Sequence, residues 1–413
     1  MKRRVVVTGL GVISPLGLNV EDTFEALLAG RSGAAPIQRF DASDLDVRFG
    51  CEVKGFDPLQ WISKKEARRF DRFLQYAIAA ADQAMRDACL GETVPEPHRA
   101  GVVVGSGIGG IATFEEQCKV YLTQGAKRVS PFFIPMFIAD IAPGVISIRT
   151  GAKGPNYCTV SACASSAHAL GESFRLIQSG DADIMITGGA EAAITPLAVT
   201  GFANMKALST RNDEPERASR PFDKTRDGFV LGDGAGIVIL EELEHAKTRG
   251  ARIHAEVLGY GMSADAHHIT QPAPGGEGAK RAMENCFCDS GVPVTEVGYV
   301  NTHGTATPLG DIAEVKAVKE VFGDRAYEIV VGSTKSMTGH LLGAAGGLEF
   351  SICVKVLNSG AIPPTINLEE PDPECDLDCA PNVKVEREVR VALTNSFGFG
   401  GHNVSLLVGK YEE

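Results

Sequence analysis

Aromatic residues and positive charge are both scarce in this sequence. Aromatic side chains make up 7% of the 413 residues, with a single tryptophan. Lysine and arginine number 40 against 52 aspartates and glutamates, which gives a formal net charge of −12 at pH 7. Proteins bind nucleic acid through a basic surface, so this balance excludes a whole-surface nucleic-acid binder. An acidic partner would need a local basic patch.

Uninterrupted apolar runs and paired cysteines are lacking too. The most apolar stretch, residues 129–148, contains Asp140 and three prolines, which predicts buried protein and no membrane span. The ten cysteines follow no disulfide-framework or zinc-finger spacing, so we expect reduced thiols and no metal site. The N-terminal residues are more typical of a first strand than of a signal peptide. These features together predict a cytoplasmic protein.

Short apolar runs that end in glycine turns are frequent and predict strands. They cover residues 4–11, 101–107, 183–189, 236–243, 254–261, 329–334, 390–398 and 404–409. Helical patterns lie between them, for example at 64–89 and 313–322. Strands that alternate with helices predict an α/β fold with largely buried sheets.

A weak internal repeat suggests how the chain is divided. Residues 162–180 align with residues 342–360, and both segments begin with small residues and stop at Ser-Gly. That pattern is typical of a helix with a glycine C-cap. We therefore predict two related α/β halves, residues 1–250 and 251–413, with helical insertions in the first half between about 20 and 160.

Cys163 is the strongest candidate nucleophile. An apolar extended stretch precedes it, and small residues that open a helix follow. A helix N-terminus stabilises a thiolate, so the sequence predicts a lowered pKa for this cysteine. Small neighbours would also let a substrate carbonyl reach the sulfur and nearby backbone N–H groups. A buried structural cysteine is the alternative interpretation, and it fits Cys158 better.

Two histidines have similarly unusual surroundings. His303 and His340 each lie in a loop of glycine and threonine that follows a predicted strand, which favours a catalytic role. The segment GSGIGG at 105–110 matches a dinucleotide-binding fingerprint. It lies outside the first βα unit and has no acidic residue about 20 positions on, so we predict a tight turn and no cofactor.

Taken in order, the motifs of this chain resemble those of the β-ketoacyl-[acyl-carrier-protein] synthases, above all the elongating condensing enzymes of type II bacterial fatty-acid synthesis. The matching segments are SACASSAH (161–168), STRND (209–213), SRPFDKTRDGFVLGDGAG (219–236), NTHGTATPLGD (301–311), STKSMTGHLLGAAGG (333–347) and NSFGFGGHN (395–403). The resemblance implies a thiolase-like fold, in which two α/β halves form a layered α-β-α-β-α core, and a homodimer.

The resemblance also implies roles for individual residues. Cys163 would accept the acyl chain, and His303 and His340 would complete a Cys-His-His centre. Lys335 would belong to that centre, Asp311 and Glu349 would order it and balance the charge of Lys335, and Phe399 would gate it. The implied reaction is a decarboxylative Claisen condensation, in which malonyl-acyl-carrier protein lengthens a cysteine-bound acyl chain by two carbons. Two positions depart from the family pattern: His402 replaces threonine, and Ala306 replaces serine.

Substrate and carrier-protein contacts can also be assigned. We expect an apolar acyl tunnel lined by residues 130–148, Ile108 and Phe202, and substrate contacts from Thr270, Thr305 and Thr307. The family's carrier protein is acidic, so docking needs a basic surface. A candidate surface is formed by basic residues at helical spacing, namely Lys64, Lys65, Arg68, Arg69 and Arg72. Lys206 could extend this surface. An ordinary solvated helix face is the alternative.

Three other functions compete with this interpretation. A thiolase would have a second catalytic cysteine near the C-terminus, and the segment 395–403 contains none. A non-enzymatic partner subunit would lack the nucleophile, against which Cys163 argues. A polyketide synthase condensing subunit shares the motifs and stays open as the alternative.

Overall fold

The computed structural model describes residues 2–412, and most of the predicted strands lie within a few residues of the observed ones. The strands are β1 (Val5–Ile13), β2 (Ala35–Pro36), β3 (Phe49–Gly50), β4 (Ala100–Gly105), β5 (Asn156–Tyr157), β6 (Ile184–Glu191), β7 (Gly234–Glu242), β8 (Ala255–Ala264), β9 (Val297–Asn301), β10 (Val330–Gly332), β11 (Ala361–Ile362), β12 (Val385–Glu386), β13 (Val391–Gly398) and β14 (His402–Gly409). Most residues of the long strands are buried, as expected for a sheet whose faces are covered.

Helices connect these strands and cover their faces. They are α1 (Val20–Leu28), α2 (Lys64–Ala67), α3 (Arg72–Asp87), α4 (Ile111–Gln124), α5 (Phe133–Phe137), α6 (Ile141–Thr150), α7 (Ser165–Ser179), α8 (Pro196–Asn204), α9 (Leu243–Thr248), α10 (Glu277–Ser290), α11 (Pro308–Phe322), α12 (Lys335–Thr338) and α13 (Ala345–Ser359). Among residues 2–412, the structure contains no helix of the length and apolar character that a membrane crossing requires.

The main sheet has ten strands and repeats its own strand order. The order across it is β10-β9-β13-β14-β8-β1-β7-β6-β4-β5. Outward from the centre, one set of five strands is β1-β7-β6-β4-β5 and the other is β8-β14-β13-β9-β10. When the strands of each set are numbered by their order in the chain, both sets read first, fifth, fourth, second, third. Residues 5–7 of β1 join the two sets by antiparallel pairing with β8. The predicted thiolase-like arrangement of two related α/β sets is confirmed.

Helices form three layers around the two sets of strands. α7 and α13 pack against each other and against strands of both sets, so they lie in the middle of the molecule. α3 and α6 share a core with the outer face of β4, β6 and β7. α10 and α11 share one with the outer side of β9 and β13. The result is the expected α-β-α-β-α core.

The predicted internal repeat is a repeat of backbone conformation. A 3-10 turn, Ala162–Ala164, precedes α7, and a second, Leu342–Ala344, precedes α13. The first residue of each turn has a positive φ, 50° at Ala162 and 46° at Leu342. Each helix ends at a left-handed glycine, Gly180 or Gly360. The two middle helices therefore begin and end in the same way.

The predicted helix over residues 64–89 is wrong, because the structure breaks it into α2 and α3. Asp71 is the N-cap of α3, and one carboxylate oxygen accepts the N–H of Phe73 at 3.3 Å. The other oxygen accepts the N–H and the hydroxyl of Thr113 at 2.9 and 2.6 Å. These bonds make Asp71 a start signal for a new helix. The basic residues of this segment therefore do not share one continuous helical face.

Candidate active site

Cys163, His303 and His340 come together at one point. The cysteine sulfur and a nitrogen of each ring lie within 4.8 Å of one another. Cys163 and His340 are 7% and 2% exposed, and His303 is partly exposed. The two rings meet edge to face, with centroids 5.2 Å apart. Both α/β sets contribute, since Cys163 precedes α7 whereas His303 and His340 follow β9 and α12.

Two backbone N–H groups face the sulfur, those of Cys163 itself and of Phe399. Gly398, at the end of β13, makes this approach possible. A Cβ at Gly398 would lie 2.7 Å from the carbonyl oxygen of Ser161 and 3.2 Å from the nitrogen of Cys163, which is too close for any side chain. Two N–H donors beside a nucleophile form the arrangement that stabilises an oxyanion.

The predicted lowering of the cysteine pKa is wrong. Burial raises the pKa of the Cys163 thiol to about 12, although the charge of Lys335 and the N–H of Phe399 oppose this effect. A helix N-terminus can be recognised in a sequence, whereas the burial of this thiol depends on the tertiary fold. A thiol with this pKa is protonated at neutral pH. A nucleophilic role for this sulfur would therefore require a base to take its proton, and the two imidazoles are within reach.

Burial also determines the charge of the histidines. It lowers the pKa of both His303 and His340 well below the usual range, and the positive charge of Lys335 adds to the effect. Both rings are therefore neutral at physiological pH. Within residues 2–412, neither ring nitrogen of His340 has a hydrogen-bond partner, and Nδ1 of His303 has none either. The rings are held by aromatic neighbours, Phe229 against His340 and Phe397 against His303.

Sulfur and imidazole nitrogen are also ligands that zinc takes. In the described chain, the residues whose donor atoms come close enough to hold an ion are Cys163, His303 and His340. A metal ligand must be a thiolate, whereas burial favours the protonated thiol here. The protein alone therefore presents a protonated thiol beside two neutral imidazoles at this site.

Lys335 lies behind the histidines, outside the cavity wall. It forms a fully buried ion pair with Glu349. Burial raises the pKa of Glu349 to about 7, and Lys335 opposes the shift. Asp311 was expected to balance Lys335 as well, and this is wrong. Asp311 instead lies 3.4 Å from the guanidinium of Arg226 and accepts the N–H of Phe222 at 2.9 Å.

Glu314 is a residue that the sequence analysis missed. Its carboxylate accepts the N–H groups of His303 and Gly304, both at 2.8 Å, and the amide of Asn395 at 3.2 Å. Burial raises the pKa of Glu314 to about 7. Glu314 follows Asp311 by three residues, so both carboxylates lie on one face of α11, and this spacing was the available signal. Glu314 fixes the loop that carries His303.

Glu191, at the end of β6, was missed as well. It accepts the N–H groups of Gly107, Ile108 and Gly343 at 2.7, 3.2 and 3.0 Å. It also accepts the hydroxyl of Ser106 at 3.0 Å. The N–H groups that would bind a phosphate in a dinucleotide fingerprint are therefore bonded to the protein's own carboxylate. The segment 105–110 is a tight turn tied to the opposite half of the molecule.

A cavity of about 540 Å³ opens onto the cysteine. Phe399 and Lys206 line it. So do all five predicted substrate residues, which are Ile108, Phe202, Thr270, Thr305 and Thr307. The expectation that residues 130–148 line the tunnel is wrong for the single chain, since none of them reaches this cavity. They form α5 and α6 on the outside of the sheet, where Ile134 and Ile148 are 56% and 81% exposed.

The predicted docking residues lie on the surface at two places. Lys64, Lys65 and Arg68 are exposed on α2 and its C-cap, and the guanidinium of Arg69 lies 4.1 Å above the ring of Phe132. Lys206 is exposed at the end of α8 and also lines the cavity. Lys64, Lys65, Arg68 and Arg69 therefore lie on or directly after a short capped helix, and Lys206 lies at the cavity.

Comparison with known families gives two adjoining matches. Residues 2–246 match the model of the β-ketoacyl synthase N-terminal domain, and residues 254–369 match that of the C-terminal domain. A curated relative from Synechocystis sp. is named 3-oxoacyl-[acyl-carrier-protein] synthase 2. It is 54% identical over 411 residues, which cover 100% of this chain and 99% of the relative.

Solved structures share the whole fold. The ishigamide ketosynthase/chain length factor superposes with a TM-score of 0.93 at 39% identity and full coverage of both chains. A type II polyketide synthase acyl-carrier protein in complex with its ketosynthase bound to the hexaketide gives a TM-score of 0.92 at 33% identity, again over both whole chains.

Proposed function

This chain belongs to the β-ketoacyl synthase family, and we propose that Cys163, His303 and His340 are its catalytic centre. It is a condensing acyltransferase of fatty-acid elongation. Malonyl-acyl-carrier protein loses CO2 and joins a cysteine-bound acyl chain, which gives 3-oxoacyl-acyl-carrier protein two carbons longer. One observation supports the assignment most strongly: a buried thiol, two neutral imidazoles and two inward N–H groups meet at one end of an apolar cavity.

In the first stage the sulfur of Cys163 attacks the thioester carbonyl of acyl-carrier protein. A new carbon–sulfur bond forms, the carrier thiol leaves, and the cysteine proton passes through a neighbouring imidazole to that leaving thiol. The N–H groups of Cys163 and Phe399 hold the oxyanion of the tetrahedral intermediate, and each is worth about 3 kcal/mol.

In the second stage the acyl chain stays on Cys163, and malonyl-acyl-carrier protein binds in place of the carrier that has left. Loss of CO2 leaves an enolate, whose oxygen accepts hydrogen bonds from His303 and His340. Their neutrality matters because a neutral imidazole donates one N–H and keeps its second nitrogen as an acceptor. The enolate carbon then attacks the acyl-enzyme carbonyl, the carbon–sulfur bond breaks, and the thiolate of Cys163 takes up one proton from solvent through a neighbouring imidazole. Lys335, paired with Glu349, keeps both rings neutral from behind.

Fatty-acid elongation is favoured over the polyketide alternative by the degree of similarity. The curated relative at 54% identity is a 3-oxoacyl-[acyl-carrier-protein] synthase, whereas the ketosynthase structures are 33–39% identical. The carrier protein is the partner that both groups name. We place its docking site at Lys64, Lys65, Arg68, Arg69 and Lys206, of which Lys206 lines the cavity.

We further propose a cytoplasmic homodimer with its chain divided near residue 250. β5 is one of the two edge strands of the sheet, and apolar side chains on α4 and α6 are exposed, Leu122 at 80% and Ile148 at 81%. Such edges and patches are normally covered by another protein surface. All ten cysteines are free, in keeping with a reducing compartment. Light scattering of the purified protein tests the dimer.

Mass spectrometry after incubation with acyl-carrier-protein thioesters of several lengths tests the function. We expect one acyl group on the peptide that contains Cys163, and its loss on addition of malonyl-acyl-carrier protein, with a 3-oxoacyl product on the carrier. Acyl label on Cys158 instead, or acyl-enzyme that malonyl-carrier protein does not discharge, would contradict the proposal.

A further inference from the structure

His340 depends on its backbone for its position. Its N–H donates to the carbonyl of Val230 at 2.7 Å, and its carbonyl accepts the N–H of Gly232 at 2.9 Å. The ring of Phe229 also meets the imidazole edge to face, with centroids 5.3 Å apart. Because no side-chain bond within residues 2–412 holds the ring, the segment 229–232 determines where the imidazole lies.

Residues 230–233 form a β-bridge with His340 on one side and with Cys51 on the other. The N–H of Cys51 donates to the carbonyl of Leu231 at 2.7 Å, and the carbonyl of Cys51 accepts the N–H of Asp233 at 3.1 Å. The fit is tight. A Cβ at Gly339, which has a φ of 67°, would lie 2.8 Å from the sulfur of Cys51 and 2.9 Å from the oxygen of Val230. A shift of the 230–233 segment would therefore be passed to His340.

The side chain of Asp233 anchors this segment. It is fully buried and forms an ion pair with the guanidinium of Arg39. Its other oxygen accepts the N–H of Ile194 at 3.2 Å. Arg39 also donates to the hydroxyl of Tyr76 at 3.0 Å and lies 3.6 Å from the carboxylate of Glu52. Neither Arg39 nor Asp233 lines the catalytic cavity.

We infer that Arg39 and Asp233 are positioning residues for His340, which they hold through the 230–232 segment; the inference rests on the proposed function of His340. A buried ion pair contributes little to stability as a rule, because desolvation offsets the attraction. Its geometry is nevertheless specific. Holding the imidazole against the enolate oxygen requires that kind of accuracy, since small displacements of a catalytic group reduce rates strongly.

The test compares the two stages of the reaction in Asp233→Asn and Arg39→Gln. We expect malonyl decarboxylation to fall about 10- to 100-fold, whereas acylation of Cys163 changes less than about twofold. The double variant should be no slower than either single variant, because one pair is broken in each case. Arg39→Lys keeps the charge and loses the planar fork, so it should give an intermediate loss and serves if Asp233→Asn does not fold.

Asp183→Asn is the matched control. It breaks an ion pair with Arg3 and Arg99 at the opposite end of β6. It should lower the free energy of unfolding and leave the ratio of the acylation rate to the decarboxylation rate unchanged. Equal loss of both stages in Asp233→Asn, the same separation in Asp183→Asn, or additive effects in the double variant would each overturn the inference. His340→Ala, assayed in parallel, tests the proposed function separately: if it still decarboxylates malonyl-carrier protein, the proposed role of His340 fails.

Discussion

The turns before α7 and α13 have the same backbone and carry different chemistry. Each begins with a residue of positive φ and leads into a helix buried in the middle of the molecule. The second position is Cys163 in the first turn and Gly343 in the other. The sulfur of Cys163 faces the cavity, whereas the N–H of Gly343 donates to Glu191 at 3.0 Å.

The surroundings explain why the two turns are not interchangeable. A Cβ at Gly343 would lie 2.2 Å from the nitrogen of Gly107 and 2.6 Å from an oxygen of Glu191. The turn at residues 162–164 borders the cavity, whereas the turn at residues 342–344 packs against Gly107 and Glu191. One set of strands therefore positions Cys163, the proposed nucleophile, and the other positions His303 and His340. The turn-and-helix conformation occurs in both sets of strands, whereas the side chains of the proposed centre are shared between them.

The largest expected effect is at the first turn. Cys163→Ala should abolish condensation, because the acyl chain then has no sulfur to join. Unfolding by urea should change little, since the side chain is small and the backbone is unaltered. Product analysis by mass spectrometry measures the loss. Condensation that survives this substitution would break the assignment of the nucleophile to the first half.

The next effect concerns the histidines of the other half. His303→Ala and His340→Ala should each reduce malonyl decarboxylation by orders of magnitude, because both donors hold the enolate. Acylation of Cys163 should suffer less, as measured by the rate at which label appears on the protein. Equal loss of acylation and decarboxylation in both variants would contradict this division of labour.

A smaller effect tests the close contact at the second turn. Gly343→Ala should lower the free energy of unfolding by about 1–3 kcal/mol, because the new Cβ forces backbone apart. Gly201→Ala is the control, since its Cβ meets nothing within 4 Å and lies in a helix. Urea midpoints measure both. If the two variants are equally stable, the contact between the halves is looser than the structure indicates.

A weaker effect still is expected for docking. Reversing Lys65 and Arg68 to glutamate should raise KM for carrier-protein substrates several-fold and leave a small thioester substrate unaffected, because only the carrier is acidic. Added salt should weaken the wild-type reaction more than that of the variant. Lys247→Glu, which reverses one exposed lysine on α9 outside the proposed docking surface, is the control. Unchanged carrier-protein kinetics would move the docking site elsewhere.

The sequence predicted the elements that depend on local pattern. Glycine turns after apolar runs located most strands, and the repeat of 162–180 at 342–360 predicted two helix starts of the same conformation. The errors share one physical cause, which is tertiary context. The pKa of Cys163 depends on burial, and the partner of Asp311 is Arg226, 85 positions earlier in the chain. The break at Asp71 depends on Thr113, and no periodicity within residues 64–89 contains that information.

The smallest expected effect is a rate that stays constant. Because burial lowers the pKa of His303 and His340, both rings should remain neutral as the pH falls from 8 to 6. At an ordinary pKa of about 6.5 each ring would be mostly protonated at pH 6, and the rate would fall by about tenfold. Malonyl decarboxylation by Cys163→Ala isolates this step from acylation. A flat profile supports neutral donors in the second half, and an acid limb near pH 6.5 would show that the rings titrate as exposed histidines do.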